Sequence, residues 1–112
     1  MGSVELLRVL GNKYNAEILS ATNEPKSAQE LSDELDIPIA TSYRRIEELT
    51  EADLLELSGR GFSDEGRRTK VYRRDIDSLQ VTFETDDIDV TIEDRPEAEN
   101  SLVDVWRDLK NE

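Results

Sequence analysis

The chain has 112 residues, a net charge of −13, and neither cysteine nor histidine. That length supports one domain with a modest core. The missing residue types exclude disulfides and thiolate metal sites and remove the commonest general base. No apolar run approaches membrane-spanning length and no signal-peptide pattern opens the chain. The expectation is a cytoplasmic protein without membrane contact.

In chain order, Val4, Leu6, Leu7, Val9 and Leu10 predict a short helix with more apolar surface than one face needs. The excess fits either core packing or a partner subunit. Gly11-Asn12 interrupts it, and Asn12 is positioned to cap a second helix through Ala16, Ile18 and Leu19 to about Thr22. Asn23-Glu24-Pro25 ends that helix. Ser27-Ala28-Gln29-Glu30 has the form of a capping box, with Leu31 and Leu35 on the buried side of a helix over 28–35.

Asp36-Ile37-Pro38 is a tight turn into a helix over 39–50. Asp stands where such turns often carry Gly, and it tolerates a left-handed backbone better than most residues. Pro38 suits a first helical turn, where its missing N–H is no loss. Ile39, Ser42, Ile46 and Leu49 recur at helical spacing and predict a core-facing side. Ala40, Thr41, Arg44, Glu47 and Glu48 fall opposite, with Tyr43 and Arg45 on the flanks. Small residues in the first turn, then Thr, Tyr and Arg, suit a helix end approaching base edges in a major groove. The plainer reading is an amphipathic helix with a solvated outer face.

Leu55-Glu56-Leu57-Ser58 alternates as a half-buried strand, and Thr69 to Arg74 returns as a second. The loop between them holds three glycines and, near its tip, Arg60, Arg67, Arg68 and Lys70. A hairpin there, directly after two helices joined by a tight turn, predicts the wing of a winged helix. A wing over 59–69 suits phosphate contact or minor-groove insertion. The alternative is a solvated loop neutralised by Asp64 and Glu65.

Beyond a link at 75–78, Leu79–Glu84 and Ile88–Glu93 alternate strictly around a tight hairpin at Thr85-Asp86-Asp87. This pair is expected to extend the wing's sheet rather than cover a ligand pocket. Its inward side carries no polar group to orient a ligand. Asp94-Arg95-Pro96-Glu97 looks like a helix start, with Ala98, Leu102, Val105, Trp106 and Leu109 forming an apolar stripe. That helix either folds back or pairs with its twin; pairing, together with Leu6, Leu7 and Leu10, is preferred. The expected fold is α+β: a winged helix-turn-helix (three-helix core plus β-wing), then a β-hairpin and a terminal helix. The expected division is 1–77 and 78–112.

Residues 10–74 resemble the winged helix-turn-helix of ArsR-like transcriptional regulators, especially haloarchaeal ones. The matching stretches are LGNKYNAEIL (10–19), SAQELSDELDIP (27–38), ATSYRRIEEL (40–49) and EADLL (51–55), where Asp53 stands in the family's Gly position. The resemblance implies a homodimer on a two-fold site in double-stranded DNA. Carried over by position, Thr41, Tyr43 and Arg44 would read bases. Ser27, Arg45, Arg60, Arg67, Arg68 and Lys70 would touch phosphate or the minor groove. Metal-sensing members use Cys, His and acidic ligands; with the first two absent, no metal and no cofactor is expected.

The charge looks wrong for a DNA binder, but it is unevenly spread. Residues 44–74 hold eight basic and seven acidic side chains, whereas 75–112 hold three and thirteen. Acid excess with four Lys against ten Arg resembles proteins of salt-loving archaea. In molar salt the Debye length is about 3 Å, so distant acid barely repels a duplex. Enzymatic activity is not expected, because the acidic pairs are sequence neighbours that point apart and no phosphate-binding glycine loop is present. The competing expectation is a winged-helix interaction module in a transcription complex, without DNA specificity of its own. An effector is not identifiable.

Overall fold

The computed structural model describes residues 1–62 and 68–96, and the backbone alone at 60–62 and 68. Four helices come first: α1 (Ser3–Gly11), α2 (Asn15–Ala21), α3 (Ala28–Leu35) and α4 (Ile39–Glu51). Two antiparallel hairpins follow: β1 (Leu55–Phe62) with β2 (Arg68–Arg74), and β3 (Ile76–Phe83) with β4 (Ile88–Asp94). The architecture is α+β and consistent with a winged helix.

The helix pair α3–α4 is built by local chemistry. Ser27 Oγ accepts from the Glu30 amide, and the Ser27 amide donates to Glu30 Oε1, each at 3.1 Å. This is the capping box the sequence predicts. Asp36 closes α3 at φ 54°, the left-handed conformation that Gly usually supplies and Asp tolerates. Buried Ile37 follows, and Pro38 stands at the N-cap of α4, one place before its first turn. Ser42 lies on the buried side because its hydroxyl donates to the Ala28 carbonyl at 2.9 Å, which removes the cost of burying it. Ile46 and Leu49 continue that side into the core.

The exit from α4 uses the same device. The Asp53 amide donates to the Thr50 carbonyl and the Leu54 amide to the Leu49 carbonyl, the paired bonds of a Schellman close. Asp53 has φ 60°, and Leu54 and Leu55 drop into the core beside Leu6, Ile18, Leu31 and Ile76.

Five expectations are corrected. Asn12 does not cap α2: Tyr14 stands at the N-cap position, at φ 76° and with no side-chain cap bond, while Asn12 Nδ2 donates to Glu48 Oε1 at 2.6 Å. Glu48 does not lie on the solvent side of α4. It also accepts from fully buried Asn15 at 2.7 Å and pairs with Arg45 at 3.3 Å, so it ties the α1–α2 corner to α4. Ile39 is 38% exposed, and the buried side of α4 begins at Ser42. The second hairpin does not extend the wing: β3–β4 is a separate two-stranded sheet. The chain turns at Asp75, whose amide donates to the Leu54 carbonyl, and Ile76 enters the core. The strand then departs toward α1, where Ser3 Oγ accepts from the Val90 amide at 3.2 Å. Asp94, expected to cap a terminal helix, ends β4 instead. The stripe from Ala98 to Leu109 lies outside the described residues.

Candidate nucleic-acid interface

The outward side of α4 presents its first half differently from its second. Tyr43 is 57% exposed and Arg44 is exposed beside it. Arg44 Nη2 lies 3.3 Å from Thr41 Oγ1, a long, weak bond that holds the guanidinium over the first two turns without neutralising it. Thr41 itself is half-buried. Glu47 and Glu51 follow Tyr43 at four-residue steps and line, with Ile46, Thr50 and Tyr72, a groove of about 400 Å³ between α4 and β2. Two carboxylates there disfavour phosphate, so the part of α4 suited to a polyanion is its N-terminal half.

The wing is fixed to this helix pair rather than merely following it. Lys26 and Tyr72 exchange backbone hydrogen bonds of 2.9 and 2.8 Å, pairing the entrance of α3 with β2. Lys26 Nζ pairs with Glu34 at 2.7 Å. Gly59, at φ 148°, takes up the irregularity where β1 shifts register against β2. Lys70 is exposed on β2, opposite Arg60 in the strand register. The side chains of Arg60 and Arg68, and Arg67 entirely, lie outside the described residues.

Several basic residues have structural duties. Arg74 donates to the carbonyls of Leu19 and Ile76, each at 3.0 Å, and reaches Asn23 Oδ1 at 3.3 Å. Arg73 pairs with Glu56 at 2.7 Å. Arg45, expected to meet phosphate, is paired with Glu48 with its side chain only a quarter exposed. Ser27, expected to do the same, is 4% exposed and its oxygen serves the capping box. The basic surplus of 44–74 is therefore smaller at the surface than in the sequence. No sequence signal marks Arg74 as internal; for Arg45 the signal was Glu48 three residues on. Of the residues expected at a subunit contact, Leu6 is 7% exposed within its own core, and Leu7 and Leu10 are half-buried. Leu102, Val105, Trp106 and Leu109 lie outside the described residues.

A second concavity, of about 440 Å³, gathers Asp53, Glu56, Asp75, Asp94, Arg73 and Arg95 behind the wing. Burial, the charges of Glu56 and Asp94, and a hydrogen bond with Glu56 raise the Asp75 pKa above the usual carboxylate range, against the opposing pull of Arg73. Among the described residues, no helix is long and apolar enough to cross a membrane.

Residues 10–58 match the sequence family described as the helix-turn-helix domain. This part of the chain is similar to that domain. The match begins at the end of α1, takes in α2, α3 and α4, and stops within β1, so it covers a little under half of the chain. In this helix-turn-helix, α3 and α4 are the paired helices and Asp36 supplies the turn. The likeness points to a DNA-binding regulator. No curated protein matches the chain.

Proposed function

We propose that the protein is a sequence-specific transcriptional regulator of the ArsR-like kind, acting in the cytoplasm of a salt-loving cell as a homodimer on double-stranded DNA. The N-terminal half of α4 enters the major groove, with Tyr43 and Arg44 at base edges and Thr41 steering Arg44. The wing over 59–69 lies on the backbone or in the minor groove, bringing Lys70, Arg60, Arg67 and Arg68 to phosphate. The observation that carries this reading is the exposed, uncompensated Tyr43–Arg44 surface on the second helix of a helix-turn-helix. Arg45 and Ser27 are assigned to holding the helices instead.

Selection of bound sequences from a random duplex pool, in high potassium salt, tests the reading. A two-fold symmetric site is expected. Arg44→Ala should lose about 1–3 kcal/mol on that site and relax preference at one position, whereas Arg67→Ala should weaken all duplexes alike. Enrichment of no sequence at any salt would reject the regulator in favour of an interaction module.

A further inference from the structure

The hairpin β3–β4 leaves one strand edge open. Val81 stands opposite Val90 in the register, yet the Val90 amide donates to Ser3 Oγ. In an antiparallel ladder, opposed residues exchange both backbone bonds or neither. Val81–Val90 is therefore a non-bonded pair, and so are Leu79–Ile92 and Phe83–Ile88, two residues to either side. The hairpin turn agrees: the Glu84 amide donates to the Asp87 carbonyl at 2.8 Å, closing the adjacent bonded pair. It follows that the N–H and C=O groups of Leu79, Val81 and Phe83 all point away from β4. No other strand pairs with that edge among the described residues.

An open edge is normally protected by Lys, Pro or inward charge. This one is not. Ser78-Leu79-Gln80-Val81-Thr82-Phe83 is uncharged throughout, in a chain of which 37% is charged. No other described strand has more than three uncharged residues in succession. The apolar side of the hairpin is also incompletely covered: Phe83 is 75% exposed, and Met1 and Val4 of the neighbouring α1 segment are 70% and 46% exposed. Among the partly buried residues that pack on the core, Leu79, Val90 and Ile92 appear but Val81 and Ile88 do not.

We propose that the β3 edge is the seam of the homodimer: β3 pairs antiparallel with β3 of a second copy, giving a four-stranded sheet with the two-fold axis at its centre. This deepens the regulator reading above, on which the dimer rests. A second copy is the occupant that the charge distribution selects. Two chains of −13 repel wherever their acidic surfaces meet, and the flanks of this hairpin are acidic at Asp77, Glu84, Asp86, Asp87 and Asp89. Antiparallel self-pairing centred on Gln80 or Val81 sets Ser, Gln, Thr and apolar side chains against one another. In neither register does a carboxylate face a carboxylate. An isologous contact needs a self-complementary patch, and a neutral strand paired with itself is one. The seam also brings the two Phe83 side chains, with Val81 and Ile88, onto one continuous apolar side.

Two variants of the full chain test this by sedimentation and by amide exchange, at low and high potassium chloride. Val81→Pro removes an outward-pointing N–H, so β3 keeps its bonds to β4 while the seam loses its centre. Gln80→Lys with Thr82→Lys alters only exposed side chains and sets like charges across the axis. The wild type should be a dimer with the Leu79 and Val81 amides protected. Each variant should raise the dimer dissociation constant at least about tenfold while its circular dichroism spectrum stays that of the folded wild type. The matched control Asp89→Lys with Thr91→Lys, one strand away, should remain dimeric. Variants that stay dimeric would overturn the seam. So would a monomeric wild type with those amides protected, which would give the edge to the chain's own residues 97–112. Binding to a single half-site duplex separates the two ideas. Monomeric variants that still hold a half-site leave the regulator standing, and a dimeric wild type that holds no duplex, with variants that lose the dimer, leaves the seam standing alone.

Discussion

Glu48 shows how one carboxylate can be structural on a helix whose other acids are solvated. It accepts from Asn12 and Asn15 on one oxygen and faces Arg45 with the other. Asn15 is fully buried and its Oδ1 has no partner, so its amide group depends on Glu48 and the Val9 carbonyl. Glu48→Ala should lower stability by about 1–3 kcal/mol, since it leaves a buried donor unpaired; equal melting temperatures would refute that role. Asp75 makes the opposite case. Its folded-state pKa lies above the unfolded value, so its charged form is disfavoured by folding. Its favourable contribution is present at low pH and is lost as pH rises from the ordinary carboxylate value through the raised one. Asp75→Asn should therefore stabilise the protein at neutral pH relative to acid pH, flattening that part of the stability profile. Denaturant titrations across mildly acidic pH would show it.

Among the elements, the two left-handed aspartates set where helices stop. Asp53 ends α4 at φ 60°, a conformation that disfavours β-branched side chains most. Asp53→Gly should hold or raise stability, and Asp53→Val should lower it by about 1–2 kcal/mol; equal denaturation midpoints for the two would contradict this. Both positions were legible in the sequence, because Asp stood where a turn or the family pattern places Gly. The α3 capping box, the buried side of α4 from Ser42 to Leu49 and both hairpins were legible for the same reason: their signals are local. What could not be read was long-range. Nothing near Asn12 says that its amide reaches across to α4. Nothing near Arg74 says that it will bind the carbonyl of Leu19. The alternation of β3 gave the strand and its apolar side, yet not its sheet, because the partner of a strand edge is fixed by where Asp75 and Ile76 anchor the chain. Of the candidate interface, Tyr43 and Arg44 are outward as expected, while Ser27 and Arg45 are claimed by contacts within the fold.

For the whole molecule, the charge is the dominant unbalanced quantity. At −13 the folded state repels itself, and the acid is concentrated in the part of the chain that includes β3 and β4. Added salt screens this, with a Debye length falling from about 10 Å at 0.1 M to about 3 Å at 1 M. Thermal melts in rising potassium chloride should show a steady increase in melting temperature; a flat response would mean that self-repulsion is already compensated. The internal bonding of Arg45, Arg73 and Arg74 sharpens the effect, since those cations are held within the fold.

The backbone bridge between Lys26 and Tyr72 has a mechanical outcome. It welds the base of one hairpin to the entrance of the helix pair, so force applied at either end is transmitted to the other. A partner pressing on the wing meets a braced jaw rather than a swinging arm. Little entropy is then left to surrender at that joint when the jaw closes on something.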